Sequence, residues 1–211
     1  MSFKPFINIA SPTGNVVFNF RGNPIRDLGA FASGYRKAAT ALATAFNDNA
    51  YADYEGYPVL YLYRHSLELY LKAVVYRGAE LMGLIGTDMP VIEKLFQHHG
   101  LVRLMPAVRA IFKAMKWDFE GTEFQSFDKF AAFVESIESI DPGSYAFRYP
   151  INPAGEAHLP HHFTVNVPNF SKVMNATLGY LEGAADLLLD TFQSEAEARY
   201  ELEQLMAQDE N

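Results

Sequence analysis

Four charged or titratable side chains lie close together within the most apolar stretch of the chain. They are Arg64, His65, Glu68 and Lys72, and they recur at helical spacing. At about 100° per residue they fall within a sector of about 100° on a helix, with Tyr61 near its middle. The segment therefore carries one polar stripe on an otherwise apolar surface.

An imidazole beside a guanidinium has the chemistry needed to cleave RNA at the 2′-hydroxyl. His65 can move protons near neutral pH, and Arg64 can hold a phosphate and the charge of the transition state. The alternative is an ion network, with Glu68 bonded to Arg64 and Lys72 one turn away on either side, which joins helices together. Buried charges persist when they are paired or when they take part in function, so the residues alone leave both interpretations open.

A second motif, Phe147-Arg148-Tyr149-Pro150, opens a long proline-rich segment. An arginine between two aromatic residues, followed by a proline that restricts its backbone, is a side chain held in one direction. We predict that Arg148 pairs with Glu68 and fixes the loop across the bundle; the alternative is direct contact with a substrate. Under the first interpretation, removing Arg148 costs about 3–5 kcal/mol because it leaves a buried carboxylate unpaired.

Histidines and tyrosines supply two further patterns. Glu156, His158, His161 and His162 could bind zinc, but their spacing matches no rigid motif and the chain has no cysteine, so we predict no metal and no other cofactor. Five tyrosines could stack on nucleic-acid bases, although at helical spacing such residues more often belong to a core: Tyr51, Tyr54, Tyr57, Tyr61 and Tyr63.

Composition limits the class of protein. The 211 residues are 49% hydrophobic and 20% charged, which suits one domain with a sizeable core. The absence of any long uncharged apolar run predicts no membrane span, and the absence of cysteine makes the cytoplasm the expected compartment. A net charge of −8 argues against broad affinity for nucleic acid, although a small basic site is compatible with it.

The elements that would position these residues are helices. Apolar residues recur at helical spacing along most of the chain, which predicts an all-α, up-and-down bundle of about five helices. We divide the chain into an extended arm (1–24), a helical domain (25–206) and a frayed acidic tail (207–211). Residues 142–168 carry five prolines and are predicted to form a long loop with a short strand or hairpin at 163–167.

Finer features of the helices are also predicted. The first helix should face inward through six residues spaced three or four apart: Leu28, Phe31, Tyr35, Ala38, Leu42 and Ala45. The segment with the polar stripe, residues 57–76, is apolar on almost all sides and is therefore predicted to be the central helix of the bundle. Pro58 should lie in its first turn, and Pro106 should kink or restart a later helix. Thr122 is the expected N-cap of the helix that follows.

Three motifs in this order resemble the HEPN superfamily, small helical proteins of prokaryotic toxin–antitoxin, abortive-infection and related defence systems. They are the run Arg64-His65-Ser66-Leu67-Glu68-Leu69-Tyr70-Leu71-Lys72, the start of a helix at His99-Gly100-Leu101, and Arg148-Tyr149-Pro150. The similarity spans roughly residues 26–192. It implies a helical bundle, usually a homodimer, and in many members a metal-independent endoribonuclease in which an arginine and a histidine four to six residues apart face each other across the dimer.

The sequence departs from that last pattern, because no arginine is followed by a histidine at that spacing. The primary hypothesis is therefore a non-catalytic interaction module that binds RNA or a protein partner, such as an antitoxin. The alternative is a ribonuclease with Arg64, His65 and Glu68 as catalytic residues, Glu68 orienting the other two. Its substrate-binding residues would be Lys72, near phosphate, together with Arg148 and Tyr61.

Overall fold

The computed structural model describes residue 16 and residues 24–46, 53–86, 94–159 and 162–209. Within these ranges the chain forms five α-helices and one 3₁₀ turn, at Val102–Leu104, and the predicted all-α bundle is confirmed. The predicted arm lies almost entirely outside the described residues. The helices are α1 (Leu28–Phe46), α2 (Asp53–Leu84), α3 (Met105–Ala114), α4 (Phe127–Ile140) and α5 (Val167–Asp209).

The apolar helix with the polar stripe is α2, and it lies at the centre of the bundle. It packs against α1, α3 and α5. A helix that is apolar on most of its circumference can bury several faces at once, which explains this position. It begins at Asp53, so Pro58 is its sixth residue rather than part of the first turn. Asp53 and Glu55 near the start favour a helix N-terminus there, because acidic groups complement the helix dipole.

The inward face of α1 differs from the predicted one. The structure buries Leu28, Ala32, Ala39 and Ala43, whereas Phe31 is 54% exposed. Both sides of this helix are apolar, so periodicity cannot distinguish them. Alanine is selected for the buried side because its small side chain lets α1 approach its neighbours closely.

In the middle of the chain a helix restarts at Pro106, as predicted, but the N-cap of the next helix is not the predicted residue. Pro106 lies in the first turn of α3, directly after the 3₁₀ turn, as predicted. The N-cap of α4 is Ser126, whose hydroxyl accepts a hydrogen bond from the amide of Lys129. Thr122 instead donates to the carbonyl of Phe119 within the preceding turn, so the predicted cap was wrong.

The segment before α5 contains no regular strand among its described residues. The predicted strand at 163–167 was wrong: residues 163–166 are irregular, and α5 starts at Val167. A single antiparallel bridge joins Ile151 to Ala157 instead. At the other end α5 continues to Asp209, so residues 207–209 of the predicted tail are helical. Alanine, glutamate, glutamine, leucine and methionine are strong helix formers, which explains the extension.

None of the helices in the described part of the chain has the length and apolar character needed to cross a membrane.

Two glycines on α2 give a matched test of this packing. A Cβ placed on Gly78 would lie 2.5 Å from Cδ1 of Ile111, a residue buried in α3. We expect Gly78→Ala to lower the free energy of unfolding by about 1–3 kcal/mol because of overpacking. Gly83 has nothing within 4 Å of the same position, and Gly83→Ala should stabilise the protein by up to about 1 kcal/mol. Urea denaturation of both variants measures the difference; equal effects would contradict the α2–α3 contact.

Candidate functional site

Arg64 lies at the centre of the polar stripe and is 1% exposed. Its Nη1 donates to Glu68 at 3.2 Å, and its Nη2 donates to the carbonyl of His99 at 2.8 Å and to Glu138 at 3.4 Å. Its Nε donates to the carbonyl of Asp141 at 3.2 Å. The guanidinium therefore connects α2 to the segment that precedes the 3₁₀ turn and to the end of α4.

Glu68 is the second centre of the same cluster. Its Oε1 accepts a hydrogen bond from Lys72 at 2.7 Å and lies 2.9 Å from Nδ1 of His99. Lys72 also donates to the carbonyl of His98 at 2.9 Å. Burial alone would raise the pKa of Glu68, but the hydrogen bonds and charges of Lys72 and His99 outweigh it and leave the pKa below its usual value. The carboxylate is therefore held ionised inside the bundle.

We call this set the buried ion network, and it consists of Arg64, Glu68, Lys72, His99, Glu138 and Asp141. The predicted pairing of Glu68 with residues one turn before and after it is confirmed. Leu101 donates its amide to Glu138 at 2.8 Å, so the network also fixes the chain entering the 3₁₀ turn. This geometry matches the interpretation in which the stripe joins helices.

Sequence reasoning missed three members of the network, His99, Glu138 and Asp141. Asp141 is fully buried, and its Oδ2 lies 3.3 Å from Nε of Arg64. The segment Asp141-Pro142-Gly143 resembles an ordinary helix stop, and nothing in its spacing relates it to a helix 77 residues earlier. The excess of donors on Arg64 was the available signal, since a buried guanidinium needs more acceptors than Glu68 alone supplies.

His65 lies beside the network but does not join it. The ring is half-buried, packed edge-on against Tyr35 at 4.4 Å and stacked on Tyr61 at 5.7 Å between centroids. It makes no hydrogen bond to any other part of the described chain. Burial lowers the pKa of His65; Glu68 acts in the opposite direction, and the positive charges of Arg148 and Arg64 add to the lowering.

This lowered pKa predicts a pH dependence of stability. Because the folded protein binds a proton on His65 less readily than the unfolded chain, stability from this residue is present above pH 6.5 and is lost as the pH falls below it. We expect the melting temperature of wild type to fall from pH 7.5 to pH 5.5 more than that of His65→Gln. The exposed His162, substituted in the same way, is the control. Parallel losses in wild type and His65→Gln would exclude a contribution from His65.

Arg148 does not contact Glu68, so the predicted pairing was wrong. Its guanidinium lies over three tyrosine rings, at 5.5 Å from Tyr61, 5.1 Å from Tyr145 and 5.6 Å from Tyr149. Its Nε donates to the carbonyl of Ser144 at 2.6 Å. Lys72, Arg64 and His99 occupy the oxygens of Glu68, which leaves Arg148 on the surface. We call Arg148 with these three tyrosines the arginine–tyrosine cluster.

The new position changes the expected effect of removing Arg148. No buried carboxylate loses its partner, and surface cation–π contacts contribute only about 0.5–1 kcal/mol. We therefore expect Arg148→Ala to keep its free energy of unfolding within about 1 kcal/mol of wild type. Chemical denaturation is the measurement. A loss of about 3–5 kcal/mol in the free energy of unfolding would instead indicate that Arg148 pairs with a buried carboxylate.

Two hollows open beside the arginine–tyrosine cluster. One, of about 350 Å³, is lined by Tyr54, Tyr57, Arg148 and Tyr149 among others. The other, of about 500 Å³, is lined by Tyr145, Tyr149 and His158 with three neighbouring residues of the loop. Tyr149 lines both and is 52% exposed.

The five tyrosines of the sequence pattern thus have different roles. Tyr63 is fully buried, and its hydroxyl bonds with Ser171 at 2.6 Å and Asn175 at 2.8 Å, as a core residue does. Tyr54 and Tyr57 are exposed, and Tyr61 is partly buried under Arg148. Tyr51 lies outside the described residues.

The histidines of the loop form no metal site in the part of the chain that the structure describes. No group of three or more histidine, aspartate or glutamate side chains there is placed to hold a metal ion. His158 stacks on Tyr145 at 6.4 Å between centroids, His162 is exposed, and His161 lies outside the described residues.

Comparison with protein-family models, with curated proteins and with solved structures finds no significant match to this chain. The similarity to HEPN proteins stays a prediction made from the three motifs.

Proposed function

We propose that the chain is a HEPN-like helical module that binds RNA without cutting it. One observation supports the non-catalytic form: Arg64 is 1% exposed and its guanidinium is bonded to four groups of its own chain. A phosphate could reach it only if those bonds broke. Lys72 is buried and bonded in the same way.

The ribonuclease alternative requires Arg64 and His65 to act on one substrate. His65 is half-buried and free of hydrogen bonds within the described chain, which suits a proton-transfer group. Arg64, its partner in that mechanism, would have to contact the phosphate in order to stabilise the developing charge, but it is buried. The two side chains are adjacent in sequence but differ in exposure, and this difference favours binding over cleavage.

The test is incubation of purified protein with labelled single-stranded RNA in the presence of EDTA, followed by gel electrophoresis and by a binding assay. Binding with intact RNA is the expected result. Cleavage by wild type that His65→Ala abolishes would overturn the non-catalytic proposal and establish the alternative. Absence of binding by folded protein would overturn RNA as the ligand and leave a protein partner, such as an antitoxin, to be sought.

The same resemblance extends the proposal to assembly and context. We propose a cytoplasmic homodimer that belongs to a toxin–antitoxin or related defence system. Light scattering of the purified chain gives its mass in solution; a monomer at working concentration would contradict the dimer.

A further inference from the structure

We infer that the arginine–tyrosine cluster, with the two hollows beside it, is a binding site for the unpaired bases and the phosphate of single-stranded RNA. This inference rests on the proposed function and assigns it a site. The site combines the loop after α4 with Tyr54, Tyr57 and Tyr61 of α2, and it uses none of the hydrogen-bonding groups of the buried ion network.

The side chain of Arg148 has free hydrogen-bond donors that can bind an anion. Its Nε is occupied by the carbonyl of Ser144, and three tyrosine rings surround the guanidinium. Its two terminal nitrogens make no hydrogen bond to any other part of the described chain, and the side chain is exposed. Four N–H groups are therefore available, in the planar arrangement that binds phosphate with two parallel hydrogen bonds.

The backbone beneath Arg148 is held in an unfavourable conformation. Ser144 is buried and has a φ of +67°, in the left-handed region that residues other than glycine seldom occupy. Its carbonyl is the acceptor for Arg148. The amide of Ala146 donates to the buried Asp141 at 2.7 Å, which ties the same loop to the ion network. Such strain is maintained where the surrounding structure fixes it, and it occurs often at binding sites.

Tyr149 supplies the surface for bases. Tyr149 lines both hollows and is half exposed, so its ring can contact one base bound in each hollow. Tyr57 and Tyr54 extend the aromatic wall of one hollow, and His158 stacked on Tyr145 extends that of the other. Base–aromatic stacking of this kind tolerates any sequence, since every base has a π-face.

Charge decides between single-stranded and double-stranded RNA. The chain has a net charge of −8, and Arg148 is the cation of the cluster, so few phosphates can be neutralised. Duplex recognition depends on many backbone contacts, whereas an unpaired strand offers its bases for stacking. The site therefore fits single strands, with an affinity that depends only weakly on salt: log K should fall with log salt by about 0.7 per phosphate contact.

The experiment is fluorescence anisotropy with a short labelled single-stranded RNA of mixed sequence and with the same RNA in a duplex. We expect Tyr149→Ala to weaken single-strand binding about tenfold or more, the size of one lost stacking contact. Arg148→Ala should weaken binding and reduce the salt slope by about 0.7. Tyr200→Ala and Arg109→Ala are matched controls on other exposed surfaces, and Arg109 likewise lies over an aromatic ring, that of Phe127.

The outcomes separate this inference from the proposed function. RNA binding that survives both Tyr149→Ala and Arg148→Ala would overturn the site and leave the proposed function standing. No binding by folded wild type would overturn both. Duplex bound as tightly as single strand would overturn base stacking. Circular dichroism of each variant confirms that lost binding is not lost structure.

Discussion

Replacing Arg64 with alanine should lower the free energy of unfolding by about 3–5 kcal/mol. The guanidinium is fully buried and lies within 3.4 Å of three carboxylates, those of Glu68, Glu138 and Asp141. Without it, Lys72 is the one permanent cation left in the network. The cost is that of carboxylates left unpaired in the interior, rather than the net contribution of one ion pair.

The measurement is urea denaturation, supported by thermal melting. For a chain of this size each kcal/mol corresponds to a shift of about 2–4 °C, so the melting temperature should fall by about 6–20 °C. Arg109→Ala is the control, because Arg109 pairs with Asp128 at 2.7 Å on an exposed surface, where such pairs contribute about 0–1 kcal/mol. An Arg64→Ala variant as stable as Arg109→Ala would show that Arg64 is not the centre of the network.

Features that depend on contacts within one helix could be predicted from the sequence, whereas features that depend on contacts between helices could not. Helical spacing placed Glu68 one turn from both Arg64 and Lys72, so their pairing could be proposed from the sequence, because it depends on contacts within a single helix. The inward face of α1 was misassigned because both sides of that helix are apolar, and only the approach of α2 and α5 selects the alanine side.

The candidate site shows the same division. The predicted partner of Arg148 was Glu68, whereas the structure places its guanidinium over Tyr61, because the position of the loop against α2 decides which side chain of that helix it reaches. Asp141 directly follows α4, and its role as a partner of Arg64 cannot be read from the sequence because it depends on a residue of α2. Contacts between segments that are far apart in the sequence leave no local spacing pattern, so they become visible only in the folded structure.

Asp141 connects the two parts of the site, so its removal should affect both. Oδ1 accepts a hydrogen bond from the amide of Ala146 at 2.7 Å, and Oδ2 lies 3.3 Å from Nε of Arg64. Asp141→Ala leaves that amide without its acceptor and Arg64 without one of its anions. We expect a loss of about 3–5 kcal/mol in the free energy of unfolding, as for breaking a buried pair. We also expect weaker RNA binding than in wild type, because the loop that holds Arg148 loses its anchor.

Asp141→Asn separates the two contributions. Its amide oxygen can still accept the hydrogen bond from Ala146, but its charge beside Arg64 is gone. Native-state hydrogen exchange should therefore show faster exchange at residues 144–149 in Asp141→Ala than in Asp141→Asn, while urea denaturation should show that both are destabilised. Equal exchange at this loop in the two variants would mean that the loop is positioned independently of Asp141. In that case the ion network stabilises the bundle without organising the surface that carries Arg148, because the Ala146 hydrogen bond is the contact through which the carboxylate of Asp141 holds that loop.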